Sequence, residues 1–203
     1  MLRKDHQNGW LPPTDDTCRE AALHGVLDAL QDARARGAHW DELTCAYAAS
    51  NGHLHVLRWA RENGCPWDEL TCALAAAAGH VSVLAYAHAN GCPWDDQTTF
   101  AAAKGSHVET LTYALEHGCP RDELACAEAA SNGDFETLRT LRIYGCPWDE
   151  LTCARAAFNG HLDLLMWARD YGCPWDWQTS AAAVQGGHAN VLAYARRNGC
   201  PES

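Results

Sequence analysis

The sequence predicts an all-α protein built as a curved solenoid of short helix-turn-helix repeats. Three observations predict this class: an internal period of 27 residues, signals for two helices in every period, and a separation of small from large apolar side chains between those helices. The period is clearest in glycine-cysteine pairs that recur along the chain. Their cysteines are Cys65, Cys92, Cys119, Cys146, Cys173 and Cys200.

Seven units of 27 residues account for residues 11–199, and the first of them contains Gly37 in place of the usual pair. A lead of residues 1–10 and a tail of residues 200–203 fall outside these units. Neither segment is long enough for a second domain. The sequence therefore predicts one array and no linker.

Each unit contains the signals that end one helix and begin another. Gly64 suits the left-handed residue that follows a helix, and Pro66 prevents the helix from continuing. Asp68 is then the expected N-cap of a helix that begins near Glu69, and a second break falls at Gly79. We expect two helices of about nine or ten residues in each unit, which are stable only when neighbouring units stack on them.

The two helices of a unit differ in the size of their apolar side chains. The first is rich in alanine, as at Ala48 and Ala49, whereas the second carries bulkier residues such as Val56 and Leu57. Small side chains let neighbouring helices approach closely. The first helices are therefore expected to line the inside of the curve.

Composition and charge exclude several classes of protein. The chain is 47% hydrophobic and 20% charged, which is typical of a folded protein and not of a disordered or collagen-like one. Its 15 basic and 26 acidic residues give a net charge of −11, which disfavours nucleic acid and anionic lipid as partners. The sequence has neither the roughly 18 to 20 apolar residues of a membrane span nor a signal peptide. We expect a cytoplasmic, monomeric protein without a membrane partner.

The 11 cysteines raise the question of a metal or disulfide framework. Zinc needs ligands at about 2.0 to 2.3 Å, and a disulfide needs Cα atoms about 4.4 to 6.8 Å apart. Equivalent helices of a stack lie about 8 to 10 Å apart, so a ladder of equivalent cysteines cannot satisfy either. We expect buried structural thiols and no metal or cofactor, with a ligand or redox role as the alternative.

Histidine and tryptophan also recur at fixed positions. Histidine precedes the second helix of five units, where we expect the imidazole to bond to the backbone; a catalytic histidine would need a unique partner, which a repeated residue lacks. Tryptophan follows the joint proline in most units, and it indicates either an exposed binding stripe or a clamp against the next unit. The clamp is favoured because the position hardly varies. Arg121 is the exception.

Comparison of the repeats with one another separates scaffold from surface, because positions that change between units are free to face a ligand. Two such positions lie on the first helix, one two residues after its cysteine and one directly after its alanine pair. The candidate partner-binding residues are side chains at these two variable positions, together with the tryptophan that replaces a carboxylate in the last unit. They are Tyr47, Leu74, Glu128, Arg155, Phe158 and Trp177.

Residues 41–57 resemble the ankyrin repeat, whose hallmark is Thr-Pro-Leu-His-x-Ala-Ala, followed by Gly-His and an apolar second helix. The matching residues are Thr44, Ala48, Ala49, Gly52, His53, Val56 and Leu57. The usual unit has about 33 residues, and the shorter unit here lacks the β-hairpin, which the Gly-Cys-Pro-Trp-Asp joint replaces. This 27-residue type is similar to the ankyrin arrays of large DNA viruses of protists.

The resemblance implies a non-catalytic scaffold that binds a protein or peptide through its inner helices and loops. If the chain is viral, the resemblance implies that it acts in the host cytoplasm and that its partner is a host protein. The alternative is a substrate-recruiting adaptor of a ubiquitin ligase, although residues 1–10 contain no F-box. The chain departs from the family pattern where Pro-Leu-His is replaced, as by Cys45, Ala46 and Tyr47. The usual threonine-histidine hydrogen bond is therefore not expected, and the missing hairpins remove the usual recognition loops.

Overall fold

The structure, a computed structural model, describes residues 15–202 and contains fourteen α-helices and no β-strand in that range. The predicted lead, residues 1–10, lies outside the described residues. The helices are α1 (Asp15–Leu23), α2 (Leu27–Ala35), α3 (Glu42–Ser50), α4 (Leu54–Glu62), α5 (Glu69–Ala77), α6 (Val81–Ala89), α7 (Asp96–Lys104), α8 (Val108–Glu116), α9 (Glu123–Asn132), α10 (Phe135–Ile143), α11 (Glu150–Phe158), α12 (Leu162–Asp170), α13 (Trp177–Gln185) and α14 (Ala189–Arg197). The predicted all-α class is confirmed.

Odd-numbered helices are the first helices of the units and even-numbered helices are the second. Gly64 lies between two units with a φ of 86°, in the left-handed region that the sequence indicated. The N-cap aspartate is also found, and at α11 the Asp149 carboxylate accepts a hydrogen bond from the Leu151 amide at 3.1 Å. Asp68 occupies the N-cap position of α5 with extended backbone but accepts no side-chain capping bond.

Neighbouring first helices pack directly against one another, whereas neighbouring second helices contact each other at few points. The alanines of the first helices, such as Ala48 and Ala49, are fully buried in this packing. The stack therefore curves with the first helices on its concave side, as the small side chains predicted. The second helices supply the large core residues, which are Leu30, Leu57, Leu84, Leu111, Leu138 and Leu165. No helix among the described residues is long and apolar enough to cross a membrane.

Of the five histidines that precede a second helix, His53, His107 and His161 bond to the backbone of the preceding unit. The Nε2 atom of His53 donates to the Leu23 carbonyl at 3.1 Å, and that of His107 donates to the Ala77 carbonyl at 3.0 Å. The ring packs so closely on a glycine of the preceding unit that a Cβ added at Gly79 would lie 2.6 Å from Nδ1 of His107. The predicted bond to backbone is confirmed, and its acceptor lies one unit back.

In four joints the tryptophan packs between an arginine and an aromatic ring, whereas at a fifth joint His88 takes the place of the arginine and stacks on Trp94 at 3.8 Å. The guanidinium carbon of Arg61, from the preceding unit, lies 4.0 Å from the centroid of Trp67, and the Tyr86 ring meets Trp67 edge-on at 6.4 Å. Arg61 also donates to the Cys65 carbonyl. These contacts confirm the clamp, but in the described part of the chain the rings are held without the indole-to-backbone hydrogen bond that the sequence analysis anticipated. Equivalent trios are Arg34, Trp40 and Trp59; Arg142, Trp148 and Trp167; and Arg169, Trp175 and Tyr194.

The joint that contains Arg121 lacks all three members of this clamp. Leu115 stands at the position of the arginine, Arg121 at that of the tryptophan and Thr140 at that of the aromatic residue. Leu115 and Thr140 are both buried. All three positions of the clamp have therefore changed at the joint that has lost tryptophan.

Candidate partner-binding groove

Four of the candidate residues form a row along the concave face. Tyr47, Leu74, Glu128 and Arg155 occupy the same position on α3, α5, α9 and α11, one or two units apart. The first three are half-buried, and Arg155 is exposed. The structure therefore distributes these side chains along the face and does not gather them at one point.

Three of the candidate residues lie close together, because Arg155, Phe158 and Trp177 line one groove between α11 and α13. The groove has a volume of about 350 Å³. Phe158 is 45% exposed and Trp177 is 51% exposed, so both rings present apolar surface to solvent. Of the six residues singled out by sequence, the structure brings these three together.

The floor of the groove is small and its far edge is polar. Ala154, Ala181 and Ala182 provide little side-chain bulk, while Gln178 and Gln185 offer amide donors and acceptors. A floor of alanines leaves room for an incoming side chain between the two aromatic rings. The arrangement can bind an apolar group and hydrogen-bond its polar neighbours.

Sequence reasoning did not identify Leu151, Ala154, Gln178 and Ala181 as members of this site. Leu151 and Ala154 lie one helical turn before Arg155 and Phe158 on the same side of α11, so the 3.6-residue period would have indicated them. The pairing of α11 with α13 was the missing information, because repeat comparison shows which positions vary but not which two helices share a groove.

Arg155 is the only charged side chain among the described residues that line this groove. Its guanidinium forms no ion pair with another described residue within 4.0 Å. At the start of the neighbouring first helices the exposed residue is a carboxylate, as at Glu123 and Glu150, but Trp177 takes that position in α13. The groove is therefore locally cationic in a chain of net charge −11.

All 11 cysteines are buried, and five of them donate a hydrogen bond to a backbone carbonyl. The Sγ of Cys119 donates to the Asp95 carbonyl at 3.2 Å, and burial raises the pKa of this thiol to about 11. The Cys45 thiol contacts Cys65 at the start of the following unit, and this contact, followed by burial, raises the pKa of Cys45. Sequence analysis did not identify this pairing. Among the described residues, no three His, Cys, Asp or Glu side chains converge on a metal position.

These thiols are expected to resist alkylation in the folded protein. The thiolate is the reactive form, and both burial and the raised pKa of groups such as Cys119 suppress it at neutral pH. Iodoacetamide at pH 8, followed by mass spectrometry, should label the native protein roughly 100-fold more slowly than the protein in guanidinium chloride. Glutathione in the same solutions serves as the reactivity control. Equal rates in the two states would contradict the buried placement.

Comparison with known proteins identifies the fold. No protein-family model matches this chain. No curated protein matches it. Among solved structures, it is similar to the ankyrin repeat domain of human ASB11, with 18% sequence identity and a TM-score of 0.65, over 77% of this chain and 84% of that one. The chain thus has the fold of an ankyrin-repeat solenoid.

Proposed function

We propose that this protein is a non-catalytic scaffold that binds a protein or peptide on its concave face, with the groove between α11 and α13 as its main anchoring point. The ankyrin-repeat fold supports a binding role, since such solenoids present extended concave surfaces to partners. Tyr47, Leu74 and Glu128 extend the proposed surface along the row that leads to the groove.

The observation that carries the proposal is the exposure of two aromatic rings that the stack does not require. At the position of Phe158 other units have Ser50 or Ser131, and at the position of Trp177 they have carboxylates such as Glu69. The repeat folds with a small or charged residue at either position. An exposed phenylalanine and tryptophan beside an unpaired arginine are typical of interface anchors.

The proposed setting is a reducing compartment such as the cytoplasm. All 11 cysteines are free thiols in the structure, and several donate hydrogen bonds to backbone carbonyls. Free thiols persist where glutathione keeps them reduced. If the chain is viral, as its 27-residue repeat suggests by resemblance, the partner is a host protein.

The test is a quantitative affinity capture with the full chain and a groove variant that carries Arg155→Ala, Phe158→Ser and Trp177→Glu. Each new residue already occurs at the equivalent position of another unit, so the variant should fold. Captured partners should bind the variant at least about 10-fold more weakly, because the two rings supply most of the buried apolar surface.

The matched control is Ala89→Glu, which changes an exposed residue on the convex side of a distant unit. It should leave the affinity of each captured partner unchanged. If every captured protein binds the groove variant as tightly as the wild type, the groove is not the anchoring point.

A further inference from the structure

The convex surface of the fifth and sixth units carries two exposed apolar side chains that the repeat does not need. Ile143, at the end of α10, is 66% exposed, and Tyr171, which follows α12, is 68% exposed. The position of Ile143 is otherwise occupied by small or charged residues, which are Ala35, Glu62, Ala89, Glu116, Asp170 and Arg197. The scaffold therefore tolerates, and elsewhere uses, residues that do not attract apolar groups.

Tyr171 also displaces a residue with a structural role. In three other units this position is an asparagine that closes the end of its helix; for example, the Asn63 amide donates to the Trp59 carbonyl at 2.8 Å. The same bond is made by Asn90 and Asn198. Tyr171 has no amide group and cannot make it. The sixth unit thus gives up a helix-closing hydrogen bond and exposes an aromatic ring.

These two residues lie at the edge of a continuous aromatic surface. The Trp167 ring lies 4.8 Å from Tyr171, 6.0 Å from Trp148 and 5.0 Å from Phe135, measured between centroids. Trp167 is also a member of the clamp formed with Arg142 and Trp148, which fixes the position of its ring. It forms a groove of about 400 Å³, separate from the concave one, that Ile143 and Tyr171 border.

Two arginines line this convex groove, and none of its described lining residues is a carboxylate. Arg142 stacks on Trp148 at 4.0 Å and uses one N–H for the Cys146 carbonyl, which leaves further guanidinium donors. Arg139 is exposed and lies 3.4 Å from Glu136, in an ion pair on the surface. Such exposed pairs are weak and can yield to a better-placed carboxylate.

We propose that the convex groove is a second protein-binding site, for a short linear segment in which an aliphatic or aromatic side chain stands next to Asp or Glu. The apolar side chain would pack between Ile143, Trp167 and Tyr171. The neighbouring carboxylate would accept hydrogen bonds from Arg139 and Arg142. This site does not depend on the concave groove.

The test uses short random peptides displayed on phage and selected on the full-length wild-type chain. The affinity of each selected clone is then measured for two full-length variants. The convex variant carries Ile143→Ala and Tyr171→Asn, and the other is the concave groove variant defined above. Alanine and asparagine occur at the equivalent positions of other units, so folding of the convex variant is expected to be retained. One class of clones should lose at least about 10-fold in affinity on the convex variant and keep its affinity on the concave variant.

Peptides of that class should contain Asp or Glu beside an aliphatic or aromatic residue. Their affinity should fall about 5-fold on Arg139→Ala and should weaken as salt is raised. The proposal is overturned if no clone distinguishes the convex variant from wild type, or if the distinguishing clones lack acidic residues. It is also overturned if the wild-type chain dimerises in sedimentation and the convex variant does not, since the occupant would then be a second copy of the chain.

Discussion

Gly79→Ala is expected to lower the free energy of unfolding by about 2–3 kcal/mol. An alanine in the left-handed region costs about 1–2 kcal/mol, and Gly79 has a φ of 74°. Its Cβ would also lie 2.6 Å from the His107 ring, which must move and lose its 3.0 Å bond to the Ala77 carbonyl, at a further cost of about 1 kcal/mol. Urea denaturation followed by circular dichroism measures the difference.

Gly64→Ala is the matched control for this prediction. Gly64 has a φ of 86°, but a Cβ there would meet nothing within 4 Å. Only the backbone cost remains, so a loss of about 1–2 kcal/mol is expected. Combining Gly79→Ala with His107→Ala should cost less than the sum of the single changes, because the clash is removed with the ring. Equal losses of unfolding free energy for the two glycine variants would contradict the close packing of the His107 ring on Gly79.

The fold could be predicted from sequence because its determinants are local and repeated. Gly64, Pro66 and Asp68 mark a helix boundary by their own backbone and capping preferences, and each recurs with a period of 27 residues. Each such signal is weak by itself, but the repeat strengthens it because the same helix boundary must be consistent with the sequence of every unit. The class, the helix pairs and the direction of curvature follow from such signals.

The contacts between units could be predicted only in part. A histidine bond to backbone is expected from residue type, but the acceptor at Leu23 lies 30 positions before His53 and becomes apparent only when the units are stacked. The same limit applies to the concave site. Phe158 and Trp177 were identified because they depart from the repeat, whereas their common groove depends on how α11 meets α13.

The convex groove shows a second limit of prediction from sequence. Ile143 departs from the repeat as clearly as Phe158 does, and Tyr171 replaces the asparagine of three other units, yet sequence comparison directed to the first helices did not consider them. Departures on the second helices can be recognised as surface residues only when exposure is known, because the same helices supply the large core leucines such as Leu138. For the amphipathic second helices, the structure is therefore needed to tell core residues from surface residues.

Trp67→Ala is expected to lower the free energy of unfolding by about 3 kcal/mol, the lower end of the range for tryptophan in a core, because the ring is half-buried. The loss removes the stacking of Arg61 at 4.0 Å and the edge-on contact with Tyr86 at 6.4 Å, each of which contributes about 1 kcal/mol. Urea denaturation measures the change, and a loss below about 1 kcal/mol would show that the clamp is dispensable.

The joint that lacks tryptophan provides the control, because its three clamp positions have changed together. Arg121→Trp alone should add little stability, since Leu115 supplies no cation and Thr140 no aromatic ring. The triple variant Leu115→Arg, Arg121→Trp and Thr140→Tyr should gain about 1–2 kcal/mol more than the sum of the three single changes, because each new group then has its partner. Additive single effects would mean that the tryptophan contributes through its own burial and not through the clamp.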